Sequence, residues 1–186
     1  FVGPDIPGLI EGAADGAGLG IRFLRHLVRT RLLLHIVDMA PEDGTDPAAA
    51  VQTIVEELLK FSPALAGRER WLVLNKMDLL LEEEQQQVRD MILEKLHWQG
   101  PVHTVSAISG EGTVQLCRDV MTHLEASRVR ELEDADYARA MEVARTRLDA
   151  EVRERLEVLR LQKSQAGVDP LDDDDGDDEV EVLYAQ

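Results

Sequence analysis

Three polar residues of fixed type follow directly on a short apolar run in the middle of the chain. The run is Trp71 to Leu74, and the polar residues are Asn75, Lys76 and Asp78. One carboxylate can accept hydrogen bonds from two adjacent donors, and guanine presents such a pair in its ring N–H and its exocyclic amine. The Lys76 stem can lie along a flat base while Asn75 ties the loop to neighbouring backbone. The residue types therefore indicate a site that reads guanine.

The apolar run predicts a strand that is buried on both faces of a parallel sheet. It is too short for a helix and lacks the alternation of a half-exposed strand. Ligands in open α/β sheets bind at the carboxyl ends of the strands, where guanine-nucleotide-binding proteins carry N-K-x-D. The pattern alone is only moderately specific. The alternative interpretation is a turn before a helix, with Asp78 as the capping residue.

A second candidate segment, Ser106 and Ala107, follows another predicted strand, residues 102–105, and precedes a predicted helix that begins at Val114. The backbone N–H of Ala107 can donate to the carbonyl oxygen of guanine. An S-A segment at a strand end is the expected partner of N-K-x-D, and we expect the two loops to form one pocket.

A third motif, D-x-x-G, lies near the amino terminus at Asp5 to Gly8. In phosphate-hydrolysing switch proteins this motif places a carboxylate near magnesium and a glycine N–H near the terminal phosphate. We expect Asp5 to bind Mg²⁺ through a water molecule and Gly8 to permit close backbone approach. The alternative is a type II turn around Pro7 and Gly8.

Segments near the amino terminus resemble the second switch of the Obg family, within the Era-like translational GTPases. They read DIPGLIEGA at 5–13, GAGLG at 16–20 and FLRH at 23–26. The resemblance covers residues 1–125 and implies a doubly wound P-loop domain of the α/β class. It also implies binding of GTP and GDP, hydrolysis with Mg²⁺, and work on the large ribosomal subunit in assembly and stress control. The implied site residues are Asp5, Gly8, Asn75, Lys76, Asp78, Ser106 and Ala107.

The sequence departs from this family in its phosphate-binding parts. The P-loop pattern G-x-x-x-x-G-K-[ST] needs a lysine after a glycine, and none of the four lysines follows one. We therefore expect a partial GTPase domain that lacks its first strand and P-loop, with these parts upstream of Phe1, and no hydrolysis by the chain alone. Leu9 stands where many switch GTPases carry a water-positioning glutamine, so no catalytic residue is assigned.

Composition and charge narrow the class of protein further. The 186 residues are 44% apolar, which supports a folded domain, and the single cysteine, Cys117, points to a reducing compartment. The longest apolar run, residues 32–37, is too short to span a bilayer, so we expect a cytoplasmic protein without membrane contact. The net charge of −17 argues against direct nucleic-acid binding.

We expect three parts: a partial GTPase domain at 1–125, a helical extension at 126–167 and a disordered acidic tail at 168–186. The tail holds nine acids and no Lys or Arg, and the rest of the chain, with 28 acids and 20 bases, carries −8. Like charges at this density prevent a core, and lysine- and arginine-rich ribosomal proteins are the expected partners of the tail.

The sequence of the extension predicts one long or two shorter helices. Opposite charges four residues apart, such as Glu151 and Arg155, indicate a solvated helix face. Docking on the GTPase body and binding of a partner are both open. The alternative function is therefore a non-enzymatic interaction module that binds ribosomal or other basic proteins through the helical extension and the tail.

Overall fold

A three-stranded parallel sheet lies at the centre of the computed structural model, which describes residues 30–165. The strands are β1 (Leu33–Asp38), β2 (Arg70–Asn75) and β3 (Val102–Thr104), and they pair in the order β1-β2-β3. Two helices, α1 (Pro47–Phe61) and the short α2 (Pro63–Ala66), connect β1 to β2, and α3 (Glu82–Leu96) connects β2 to β3. The predicted mixed α/β class with a parallel sheet is confirmed.

Local sequence signals explain where these elements lie. The four residues from Trp71 to Leu74 are at most 5% exposed, as expected for a strand covered on both faces. Helix α1 begins at Pro47 because the Asp46 side chain accepts the backbone N–H of Ala48 at 3.0 Å and proline suits the first helical position. The buried strand agrees with the sequence prediction.

Helices cover both faces of β2. Leu72 and Leu74 pack with Val51 of α1 and Ile92 of α3 in one core cluster. Trp71 points to the other face, since successive side chains alternate along a strand. There it stacks on His103 at 5.4 Å between ring centroids and meets the edge of His123, a residue of helix α4 (Thr113–Glu133), at 5.2 Å.

Up to residue 165, where the described part of the chain ends, the helical extension is broken once, at Asp134. Its carboxylate accepts the backbone N–H groups of Asp136 and Tyr137, so α4 ends at Glu133 and α5 (Ala135–Gln165) begins. The extension therefore forms two helices, and the boundary expected at 125/126 falls inside α4. No helix between residues 30 and 165 is long and apolar enough to cross a bilayer.

Helix α5 docks on the sheet-containing body. Leu148 and Val152 are 1% and 7% exposed and join a cluster with Leu33, Phe61 and Leu65. Packing of this kind removes large apolar areas from water and stabilises the arrangement. Of the two alternatives for the extension, the structure shows docking.

A partly buried carboxylate strengthens this docking. Glu151 of α5 accepts hydrogen bonds from the Ser62 hydroxyl at 2.6 Å and the Ala64 N–H at 2.9 Å, both at the start of α2. Its other oxygen accepts from Arg147 at 2.8 Å. The charge spacing predicts a solvated face at Glu151, whereas the carboxylate of Glu151 contacts the body and Arg147.

Candidate functional site

The carboxyl ends of the three strands lie at one edge of the sheet. Asp38, the last residue of β1, is the register partner of Asn75, the last residue of β2, and β3 ends at Thr104 on the other side. Parallel pairing thus brings the loops after all three strands together. The candidate ligand-binding residues between positions 75 and 107 all lie at this edge.

A side-chain hydrogen bond joins two of the predicted motifs. The Asn75 Oδ1 accepts the backbone N–H of Ala107 at 3.0 Å. The backbone N–H of Met77 also donates to the carbonyl oxygen of Val105 at 3.2 Å. The N-K-x-D loop and the S-A loop therefore form one unit, although 32 residues separate Asn75 from Ala107 along the chain.

The Asn75–Ala107 bond differs in one respect from the sequence expectation. We expected the Ala107 N–H to donate to a guanine oxygen, whereas in this structure it donates to Asn75. Only the carbonyl oxygen of an asparagine side chain accepts hydrogen bonds, so the NH₂ of Asn75 faces away from Ala107. That NH₂ is a donor at the edge where a ligand would lie.

Asp78 lies in a short 3₁₀ turn, Met77–Leu79, and its side chain is exposed. Helix α3 begins at Glu82 with Leu81 as its N-terminal flanking residue. The alternative interpretation of Asp78 as the cap of the following helix is therefore wrong. An exposed carboxylate at the sheet edge can accept from two adjacent donors of a ligand, the role that N-K-x-D predicts.

Lys76 makes an ion pair that the sequence did not reveal. Its backbone is left-handed at φ +68°, and its Nζ lies 2.5 Å from Oδ2 of Asp38. Hydrogen bonding to Asp38 raises the pKa of Lys76 above its usual value, and the charges of Asp38, Glu42 and Asp78 act in the same direction. The sequence signal for this pair was Asp38 at the end of the predicted strand β1. The signal identifies a partner for Lys76 only when the register of β1 against β2 is known.

Ser106 stabilises the S-A loop through its hydrogen bonds. It is fully buried, its hydroxyl accepts the Ser109 N–H at 3.2 Å, and its backbone N–H donates to the backbone carbonyl oxygen of Glu111 at 2.9 Å. Ala107 and Ile108 are exposed as a result, and Ile108 is 88% exposed. Ser106 thus shapes the S-A loop, while Ala107 and its neighbour face outward.

Gly112 permits the close return of this loop to the sheet. It has φ +74°, and a Cβ atom at this position would lie 2.5 Å from the carbonyl oxygen of Thr104. A side chain there would force the backbone of β3 or α4 to shift. The position of the S-A loop depends on this glycine.

The chemistry of this edge is that of a binding site. It combines an exposed carboxylate, an amide donor and an aliphatic stem that ends in a cation, which together suit a planar ligand with both donors and acceptors. No group of three or more His, Cys, Asp or Glu in residues 30–165 is placed to hold a metal ion. Asp5 and Gly8, the predicted magnesium and phosphate contacts, lie outside the described residues, as does the acidic tail at 168–186.

No model of a known protein family matches the chain. The resemblance to Obg-type GTPases therefore rests on the sequence motifs alone.

Proposed function

We propose that this chain provides the guanine-recognition half of a GTP-binding, GTP-hydrolysing protein of the Obg type. The observation that carries the proposal is the hydrogen bond between Asn75 and Ala107, which joins N-K-x-D and S-A in one structural unit. Each motif is common alone. Their contact at the carboxyl edge of a parallel sheet, where such sheets bind nucleotides, is the specific feature.

In the proposed recognition, one side of the site accepts hydrogen bonds from the base and the other side donates hydrogen bonds to it. The Asp78 carboxylate accepts from the ring N–H and the exocyclic amine of guanine. The NH₂ of Asn75 and the N–H of Ala107 supply donors for the guanine acceptors, with the Ala107 N–H shared with or released from Asn75. Adenine has the reverse polarity at its corresponding edge, so it would leave these groups unpaired.

Binding of the phosphates by a P-loop is assigned to residues other than these 186. The 186 residues hold no P-loop pattern, so we propose that GTP hydrolysis belongs to the protein with a phosphate-binding loop and that this chain alone does not hydrolyse GTP. Asp5 would contact Mg²⁺ through water, and Gly8 the terminal phosphate. Function in large-subunit assembly and stress control, with basic ribosomal proteins as partners of the acidic tail, follows from the resemblance and the tail composition.

Competition binding tests the proposal. The product of the complete open reading frame that encodes this chain is saturated with a fluorescent GDP analogue, which is then displaced with GDP, ADP or XDP. We expect GDP to displace the probe at least about 100-fold more effectively than ADP, because a site built from hydrogen-bonding groups rejects a ligand that leaves them unpaired. Equal displacement by GDP and ADP would contradict guanine recognition.

A further inference from the structure

We propose that Asp38 is a positioning residue that holds Lys76 away from Asp78, so that both oxygens of Asp78 stay available for a ligand. The proposal rests on the proposed guanine recognition at the same edge. It adds a residue from β1, outside both sequence motifs, to the determinants of nucleotide affinity.

Asp38 is suited to this role because its two carboxylate oxygens have separate partners. Oδ1 accepts the backbone N–H of Ala40 at 2.9 Å, which fixes the carboxylate against its own loop. Oδ2 lies 2.5 Å from Nζ of Lys76. A carboxylate that is already oriented by backbone can hold a flexible lysine at a smaller entropic cost than a mobile one.

The loop after β2 is consequently fixed on two sides. Asn75 contacts the loop after β3 through Ala107, and Lys76 contacts the end of β1 through Asp38. The left-handed backbone of Lys76 is unfavourable in a residue with a side chain, and such a conformation persists where neighbouring contacts determine it. The two adjacent side chains therefore diverge towards opposite neighbours.

The divergence matters because Lys76 has other acids within electrostatic range. Asp78 and Glu42 both act on the charge of Lys76. If the pair with Asp38 were lost, the ammonium group could move to Asp78, two residues away. A lysine on Asp78 would occupy the acceptor that reads the guanine donors, and guanine would then compete with an internal ion pair.

A double-mutant cycle with a suppressor tests this role. Asp38→Asn keeps the acceptor for Ala40 and removes the charge that holds Lys76. Lys76→Met keeps an apolar stem of similar length and removes the ammonium group. We expect Asp38→Asn to weaken GDP affinity about tenfold, in the range of one charge-assisted hydrogen bond, and the double variant to match Lys76→Met alone. Glu42→Gln, an exposed acid near Lys76, is the matched control and should leave affinity unchanged.

The outcomes separate positioning from a general structural role. If Asp38 only supports the fold of β1, the double variant will bind GDP as poorly as Asp38→Asn, and the proposal is overturned. A second readout needs no nucleotide: the ¹³Cε resonance of Lys76 should titrate at lower pH in Asp38→Asn than in the wild type, and an unmoved titration also overturns the proposal. Wild-type protein that fails to prefer GDP over ADP would instead overturn the proposed function.

Discussion

The side-chain oxygen of Asn75 accepts the backbone N–H of Ala107 at 3.0 Å, and this bond fixes which way the Asn75 amide faces. It joins the loops after β2 and β3 directly. The bond also leaves the Asn75 NH₂ available at the sheet edge, so one residue both organises the site and offers it a donor.

Substitutions of Asn75 separate these two roles. Asn75→Asp keeps an acceptor for Ala107 but replaces the NH₂ donor, whereas Asn75→Ala loses both. We expect both variants to bind GDP at least about tenfold more weakly, since an unpaired polar group costs about 1–3 kcal/mol. Only Asn75→Ala should shift the ¹⁵N–¹H resonance of Ala107 strongly in the nucleotide-free protein. Equal Ala107 shifts in the two variants would contradict the assignment.

Two glycines with similar φ angles provide a matched test of the S-A loop. Gly112 (φ +74°) would place a Cβ 2.5 Å from Thr104, while Gly44 (φ +72°) has no atom within 4 Å of a Cβ. Gly44→Ala should cost about 1 kcal/mol of unfolding free energy from backbone strain alone. Gly112→Ala should cost about 1–3 kcal/mol more because of the clash, as measured by urea unfolding. Equal losses would show that the close approach does not constrain the loop.

The docking of α5 is tested at Glu151. Its hydrogen bonds with Ser62, Ala64 and Arg147 outweigh the effect of burial, which acts to raise the pKa, so the pKa of Glu151 lies below its usual value. Glu151→Gln should lower the unfolding free energy by about 1–3 kcal/mol, since the bonds to a charged group are weakened. Glu154→Gln, an exposed acid on the same helix, should change it by less than about 0.5 kcal/mol. Similar effects of the two variants would argue against a specific contact between Glu151 and α2.

Stability should depend on pH through His35. Burial, and secondarily the charge of Arg70, lower the pKa of His35 from 6.5 to about 4. Below pH 6.5 the unfolded chain binds a proton at His35, whereas the folded chain does not bind it until about pH 4. The unfolding free energy therefore decreases as the pH is lowered from 6.5 to about 4. The loss should be on the order of 2–3 kcal/mol.

Urea unfolding across this pH window provides the measurement. His35→Gln should flatten the pH dependence there, and His97→Asn, which removes an exposed imidazole, should leave it as in the wild type. A wild-type curve that is already flat between pH 6.5 and 4 would show that His35 titrates normally in the folded state.

The features that sequence predicts well here are those with local causes. The strand at Trp71 to Leu74 needs only consecutive apolar residues, and the start of α1 needs only Asp46 and Pro47. The convergence of Asn75 and Ala107 could be predicted because both follow strands of a parallel sheet. The roles of Asp5 and Gly8 and of the acidic tail stay predictions.

The features that sequence does not predict depend on contacts between distant segments. Glu151 and Ser62 are 89 residues apart, and charge spacing on α5 alone favoured a local pair with Arg155. The role of Asp38 depends on the register that places it beside Asn75. Neither relationship can be derived without knowing which helix face docks and how the strands align.

Exchange of the Asp78 carboxylate for an amide tests most directly whether Asp78 reads the paired donors of guanine. Asp78→Asn offers an N–H to the added oxygen of xanthine, which the native carboxylate repels, and no longer accepts from both guanine donors. The measurement is competition between GDP and XDP on the product of the complete open reading frame, with Glu83→Gln on α3 as the matched acidic control. We predict that Asp78→Asn reverses the preference from GDP to XDP by at least about 100-fold in the ratio of affinities. An unchanged preference for GDP in Asp78→Asn would contradict the account.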